Sequence, residues 1–277
     1  MPISARRHIR RMRGGAQSHL LEAGDGRWYV VKFLNNPQHR RILVNELIAS
    51  CFFRHLNLAV PEAAMISVSP EFLLENPEAC LELGSRRIPL EPGWHFGSRF
   101  PGDPARLAVY DFLPDALLKQ VINLNHFLGA LVLDKWMSNA DGRQAIYFRA
   151  RLAEWSATGD SPLKTAGFLA QLIDQGFVFN GPHWELADSP LQGLALRPTV
   201  YEDVKSWDDF QPWLDQVVHF PEEVIDQARR QIPPQWLQGD ESALDEILGR
   251  LLKRRQRVPD LIGESRRARA NLFPNWH

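Results

Sequence analysis

Leu131-Val-Leu-Asp-Lys-Trp-Met-Ser-Asn-Ala-Asp-Gly-Arg-Gln-Ala-Ile-Tyr147 is the stretch on which the reading of the fold turns. Its first half is apolar and predicts the end of a buried helix. Its centre, Asn139-Ala-Asp-Gly-Arg-Gln144, is turn-forming and polar in character. Ala145-Ile-Tyr-Phe148 is apolar, aromatic and partly β-branched, which predicts a strand. A polar loop between a core helix and a strand is rigidly held, and such loops commonly carry chemistry. A second stretch, Leu172-Ile-Asp-Gln-Gly-Phe-Val-Phe179, has the same character. There a single carboxylate, Asp174, ends a hydrophobic strand, and a glycine follows two residues later. Two acidic residues presented beside adjacent strands suit a site that orients a hydroxyl and holds a metal.

The 277 residues are 44% hydrophobic and 23% charged, the composition of a soluble globular protein. The length accommodates one large domain or two lobes with separate cores. A net charge of −1 supplies no bulk attraction to nucleic acid or to a membrane surface, so neither is expected as a partner. Basic residues do gather at both ends: Arg6, Arg7, Arg10, Arg11 and Arg13, then Lys253 to Arg257 with Arg266, Arg267 and Arg269. Both groups read as solvated faces and tails, and residues 1–13 as a loosely docked arm. Cys51 and Cys80 give neither a disulfide framework nor a metal spacing and are expected to be reduced. The basic start is not followed by an apolar run, and no apolar stretch approaches the roughly 20 residues that span a bilayer. The expected location is the cytoplasm.

Toward the N-terminus, Arg13-Gly-Gly-Ala-Gln-Ser-His19 is followed by Leu20-Leu-Glu22, the turn Ala23-Gly-Asp-Gly26 and Arg27-Trp-Tyr-Val-Val-Lys-Phe33. The pattern is strand, glycine-rich loop, strand, tight turn, strand. Gly14-Gly15 lets the backbone approach a ligand, and its N–H groups suit phosphate. A Gly-Gly pair is more often a plain turn, and Lys32 adds the weight. It interrupts an apolar strand, where an ammonium needs either a partner or a path to water. Fourteen residues on, Glu46 borders the apolar face of a helix predicted over Arg40–Phe53. Ala63–Val68 predicts a strand. Trp94–Asp103, with its glycines and Arg99, reads as irregular chain at the position of a connection between lobes.

Toward the C-terminus a helix is predicted over Asp115–Leu124, capped by Asp115. A second, apolar nearly all round and therefore buried, runs over Asn125–Met137. Arg149–Thr165 reads as a hairpin or excursion with a turn at 159–162, and Phe168–Ile173 as the next strand. Helical periodicity follows over Val204–Leu214, Pro221–Gln231 and Ser242–Arg255. A β-rich half thus precedes an α-rich half, the order of an α+β protein with two lobes.

Gly14-Gly-Ala-Gln-Ser-His19, Lys32, Glu46, Asn139-Ala-Asp-Gly-Arg-Gln144 and Ile173-Asp-Gln-Gly176, in this order, resemble the HipA-like kinases over about residues 13–180. The resemblance implies a two-lobed protein-kinase-like fold, with a β-rich lobe over residues 1–103 and a mainly helical lobe over 104–277. It implies ATP and Mg²⁺ as cofactors and transfer of the γ-phosphate to a hydroxyl of a protein serine or threonine, or of a small molecule. Gly14, Gly15, Ala16, Gln17 and Ser18 would cover the phosphates, and Lys32 would bind them while paired with Glu46. Asp141 would accept the proton of the attacking hydroxyl, Asp174 would hold the metal, and Arg99 would contact phosphate from the cleft. The family pattern has a metal-binding Asn five residues after the catalytic Asp, and Ile146 stands there. Either Gln144 then serves as the metal ligand in its place, or the second metal is absent. The alternative is a pseudokinase, which binds a nucleotide or a partner without phosphoryl transfer. Asp134 and Asn139 also have the five-residue spacing, but Asp134 lies within a predicted helix. The length leaves no room for the extra N-terminal subdomain of HipA toxins, so no toxin role is expected.

Overall fold

The computed structural model describes residues 1–151 and 166–277. Among the described residues ten strands come in chain order: β1 Ile3–Arg11, β2 His19–Ala23, β3 Trp28–Lys32, β4 Ala63–Val68, β5 Cys80–Leu83, β6 Arg86–Pro89, β7 Gly93–Arg99, β8 Val109–Tyr110, β9 Gln144–Arg151 and β10 Ala166–Ile173. The helices are α1 Arg41–His55, α2 Pro70–Glu75, α3 Asp115–Leu118, α4 His126–Trp136, α5 Pro198–Tyr201, α6 Trp213–Val218, α7 Glu222–Arg230, α8 Pro234–Leu237, α9 Glu241–Arg254 and α10 Val258–Ala268. The molecule is a mixed α+β protein in which most strands precede most helices.

Strands β1-β2-β3-β7-β4 close into a barrel. Closure comes from a short parallel pairing of β1 with β4, Ile3 opposite Ile66, while the other neighbours are antiparallel. The barrel has its own core, with Leu21, Tyr29, Val31, Phe33 and Ile66 almost wholly out of solvent. The larger core is assembled from α1, α4 and the later helices, around Phe52, Trp136 and Phe220. Phe52 stacks on Trp136 at 5.5 Å and meets Phe220 edge-on at 4.9 Å. Helix α1 is buried on all sides because it lies between the barrel and the later helices, and its apolar residues are not confined to one stripe.

Three-stranded sheet β10-β9-β8 carries the polar loops. Its register sets Gln144 opposite Ile173, so the chain entering β9 and the chain leaving β10 emerge at the same end. The predicted excursion over 149–165 falls largely outside the described residues. No described helix is long and apolar enough to cross a membrane.

Several sequence expectations need correction. Residues 3–11 are not a loose arm but strand β1, paired along both edges. Trp94–Arg99 is not irregular but part of β7, a central strand paired with both β3 and β4. Only Asp115–Leu118 is helical in the stretch expected to run to Leu124. Beyond it the chain is drawn onto β10: the Ile122 N–H donates to the Phe168 carbonyl at 3.0 Å, and Asn123 exchanges two side-chain bonds of 2.9 Å with the Ala170 backbone. The run Val204–Leu214 is broken, because Ser206 and Asp209 form a capping box around a short turn and Pro212 follows Gln211. Helix α10 was not anticipated. Cys51 and Cys80 are free thiols.

Candidate active site

Lys32 is the last residue of β3 and is almost entirely buried. Its Nζ donates to Glu46 of α1 in a short contact and to Asp174 Oδ1 at 2.6 Å. Burial alone would lower the Lys32 pKa, but the two carboxylates outweigh it, so the ammonium is held more firmly than an ordinary lysine. Burial pushes Glu46 upward, with Lys32 opposing, whereas the Lys32 charge is the main cause that lowers Asp174. Asp174 is the more open carboxylate, its side chain 35% exposed against 5% for Glu46. It also adopts left-handed backbone, φ 61°, unusual for a residue with a Cβ and of a kind that clusters at functional sites.

The β9–β10 register brings the Asp141 loop to the same end of the sheet as Asp174. Gln144 is exposed at the start of β9. Its amide nitrogen donates to Asp141 Oδ2 at 3.2 Å, and the same side chain adds to the Lys32 charge in lowering the Asp174 pKa. Gln144 thus holds Asp141 while standing opposite Ile173, the residue before Asp174. Asp141 Oδ1 accepts from the Gly142 N–H at 2.8 Å, and the Asp141 N–H donates to Asn139 Oδ1 at 3.2 Å.

Beneath this surface lies a network that sequence reasoning missed. Arg143 grips fully buried Asp134 of α4 through two nitrogens, one of them at 2.8 Å. Its remaining nitrogen donates to the Ile173 carbonyl at 3.0 Å and to Gln175 Oε1. Arg143 thus ties the Asp141 loop to the chain on either side of Asp174. Asp134 and Asn139 do belong together, Asn139 Nδ2 donating to Asp134 Oδ1 at 2.9 Å, but in a sealed structural cluster away from solvent. Asn45, one residue before Glu46, donates to the carbonyls of Gly176, Val178 and Gly181 at 2.7, 3.0 and 3.0 Å and accepts from Trp184 Nε1 at 2.8 Å. Helix α1 therefore fixes the segment after Asp174 with the turn that presents Glu46. An asparagine inside an apolar helix was the available signal.

The Gly14–Ser18 loop joins β1 to β2. Gly14 has φ +118°, which only glycine adopts readily. Both ends of the Gln17 side-chain amide are bonded to the Glu82 backbone rather than free for a ligand. Arg99 departs from expectation. It pairs with Glu62 at 3.0 Å, both side chains well exposed. Tyr29 is its partner in β3, three positions or about 10 Å from Lys32. The place of Arg99 at the end of β7 accounts for this, because the strand fixes where the side chain leaves the sheet.

The donor set suits a hard cation. Asp174 offers carboxylate oxygens and Gln144 a carbonyl oxygen, and Mg²⁺ characteristically takes one or two carboxylates together with phosphate oxygens. Among the described residues, no group of three or more His, Cys, Asp or Glu is placed to hold a metal without such help.

The model of the HipA-like kinase family matches residues 6–146, just over half of the chain. The chain belongs to the HipA-like kinase family. No curated protein matches it. Among solved structures it is similar to a Golgi casein kinase at 12% identity, with 91% of this chain and 72% of that chain covered and a TM-score of 0.43. It is also similar to the Golgi casein kinase with Mn/ADP bound, at 10% identity, the same coverages and a TM-score of 0.39.

Proposed function

We propose that this HipA-like chain is an ATP-dependent phosphotransferase acting on a hydroxyl acceptor, a protein serine or threonine by preference. The observation that carries the reading is the junction of Lys32 with Glu46 and Asp174, with Gln144, opposite Ile173 in the sheet, hydrogen-bonded to Asp141. On this reading residues 1–103 form the phosphate-covering lobe and 104–277 the lobe that presents Asp141 and Asp174.

Each residue has a distinct task. Backbone N–H groups of Gly14–Ser18 cover the phosphates. Lys32, kept charged by its two carboxylates, binds phosphate oxygens, and Glu46 fixes its direction. Asp174 and the Gln144 carbonyl hold Mg²⁺, which when bound neutralises charge on the transferred phosphoryl group. Asp141 orients the acceptor hydroxyl and takes its proton as the new P–O bond forms and the bond to ADP breaks. Arg99, committed to Glu62, has no part in this scheme.

Ile146 supports the second reading, a nucleotide-binding pseudokinase. It lies within β9 opposite Gln171 and offers no metal ligand. Transfer of radiolabelled γ-phosphate, run beside ATP titrations, separates the two readings. Asp141→Asn should abolish transfer with ATP binding nearly intact, while Asp174→Asn should impair Mg²⁺-dependent binding itself. Wild-type binding without transfer to any acceptor would establish the pseudokinase.

A further inference from the structure

The phosphate loop is not free-standing. Gln17 within it has left-handed backbone, φ 47°, an unfavourable state for a residue with a Cβ. Two bonds keep it there: its amide nitrogen donates to the Glu82 carbonyl at 2.7 Å, and its amide oxygen accepts from the Glu82 N–H at 2.7 Å. One side chain thus satisfies both backbone groups of a strand residue, as a neighbouring strand would. Glu82 lies in β5, which with β6 forms a separate two-stranded sheet outside the barrel. The hairpin is fastened at two more points. The Glu82 carboxylate pairs with Arg11 at the end of β1, and Asn35 Nδ2, just past β3, donates to the Pro89 carbonyl at 3.0 Å. On the other side of the loop, a side chain at Gly15 would begin 2.7 Å from the Gln38 amide, so the loop is flanked there too.

We propose that the β5–β6 hairpin, acting through Gln17, holds the phosphate loop in its nucleotide-ready shape, making Gln17 a positioning residue rather than a phosphate ligand. The inference rests on the phosphate-loop reading above. The amide is fully committed to Glu82, so Gln17 supplies geometry and the neighbouring backbone supplies the contacts. A loop that holds the competent shape for only a tenth of the time binds its ligand tenfold more weakly.

Gln17→Met tests this, because it keeps the length of the side chain and removes the amide. Amide exchange across residues 14–18, measured without nucleotide, should be about tenfold faster than in the wild type. The KM for ATP should rise about tenfold with kcat changed less than about twofold. Gln17→Ala should match Gln17→Met, whereas a space-filling role predicts that Gln17→Met matches the wild type. Glu82→Ala keeps the backbone groups that Gln17 uses and removes only the exposed pair with Arg11, so its loop exchange should rise by less than about twofold. A wild type that binds ATP beside a Gln17→Met variant with unchanged exchange or unchanged KM overturns the inference alone. A wild type that binds no ATP overturns the phosphate-loop reading and the inference together.

Discussion

Lys32 and Asp174, 142 positions apart in the chain, meet at 2.6 Å. The contact is possible because β3 ends and β10 ends at one point beneath α1, where Glu46 completes the cluster. Replacing Lys32 by Met would leave Glu46 buried without its counter-charge. Breaking a buried pair from one side costs about 3–5 kcal/mol.

The expected outcome for Lys32→Met is therefore a destabilised protein with weak ATP binding. Burial already pushes Glu46 upward, and without the ammonium it would rise further. A carboxyl whose folded pKa lies above its unfolded value costs stability at high pH and recovers as pH falls, so the deficit should shrink from pH 8 to pH 6. Adding Glu46→Gln should restore most of the stability but not the nucleotide affinity. Urea unfolding with calorimetric titration of ATP checks both halves. Affinity that returned with stability would reduce Lys32 to a structural cation.

Much of this cluster was legible in the sequence because its parts are local exceptions: a lysine in an apolar strand, a carboxylate at the end of another. The helices α1, α4, α7 and α9 were legible from periodicity. Strand β7 was not, because Gly97 and Gly93 read as breakers. Gly97 is there for packing: a Cβ would lie 2.5 Å from Ile66 on the neighbouring strand. Strand β1 was hidden by its arginines, which face solvent while Ile3, Ala5 and His8 turn inward. The Asp134–Arg143 clamp was illegible in principle. A bidentate pair nine residues apart depends on a turn that propensity does not predict.

That clamp makes a prediction of its own. Asp134→Asn would leave the Arg143 guanidinium, buried against the Phe53 ring at 5.2 Å, without a counter-ion. The expected loss is about 3–5 kcal/mol. Asp134→Leu combined with Arg143→Met should recover much of that stability while leaving phosphoryl transfer impaired, because nothing would then tie the Asp141 loop to Ile173 and Gln175. Denaturant midpoints and transfer assays on the same samples decide it. Full transfer by the double variant would show that the clamp only supports the fold.

Two buried histidines predict an acid limit. His19 and His95 are wholly out of solvent, and both have pKa values lowered to about 4. Burial is the main cause for each, and for His19 the facing His8 and Arg11 add to it while Glu78 opposes. The unfolded chain binds these protons first, near pH 6.5. Stability should thus be full above that pH and fall as pH drops toward 4, by about 2 kcal/mol from each ring at pH 5. Urea midpoints at pH 7.5 and 5.0 test the sign and size, and equal midpoints would contradict neutral buried rings.

Gly193 carries the last prediction. It stands between the two halves of the site: its N–H donates to the Asp141 carbonyl at 2.9 Å, and a Cβ on it would lie 2.2 Å from the Asp134 Cβ. Its φ of +71° disfavours any other residue even before that clash. Neither neighbour can yield, since Asp134 is held by Arg143 and Asn139, and Asp141 by the loop it belongs to. Backbone strain alone is worth about 1–3 kcal/mol. With the overlap added, Gly193→Ala should cost roughly 3 kcal/mol or more and displace Asp141 from Gln144, lowering transfer more than ATP binding. Gly249 provides the comparison. It lies exposed within α9, and a Cβ added there would meet nothing within 4 Å, so Gly249→Ala should raise stability by about 0.5–1 kcal/mol through helix propensity alone. Thermal melting of both variants, with transfer and ATP titration for Gly193→Ala, gives the result. A Gly193→Ala protein as stable and as active as the wild type would mean that the Asp134 cluster and the Asp141 loop are not packed against this segment.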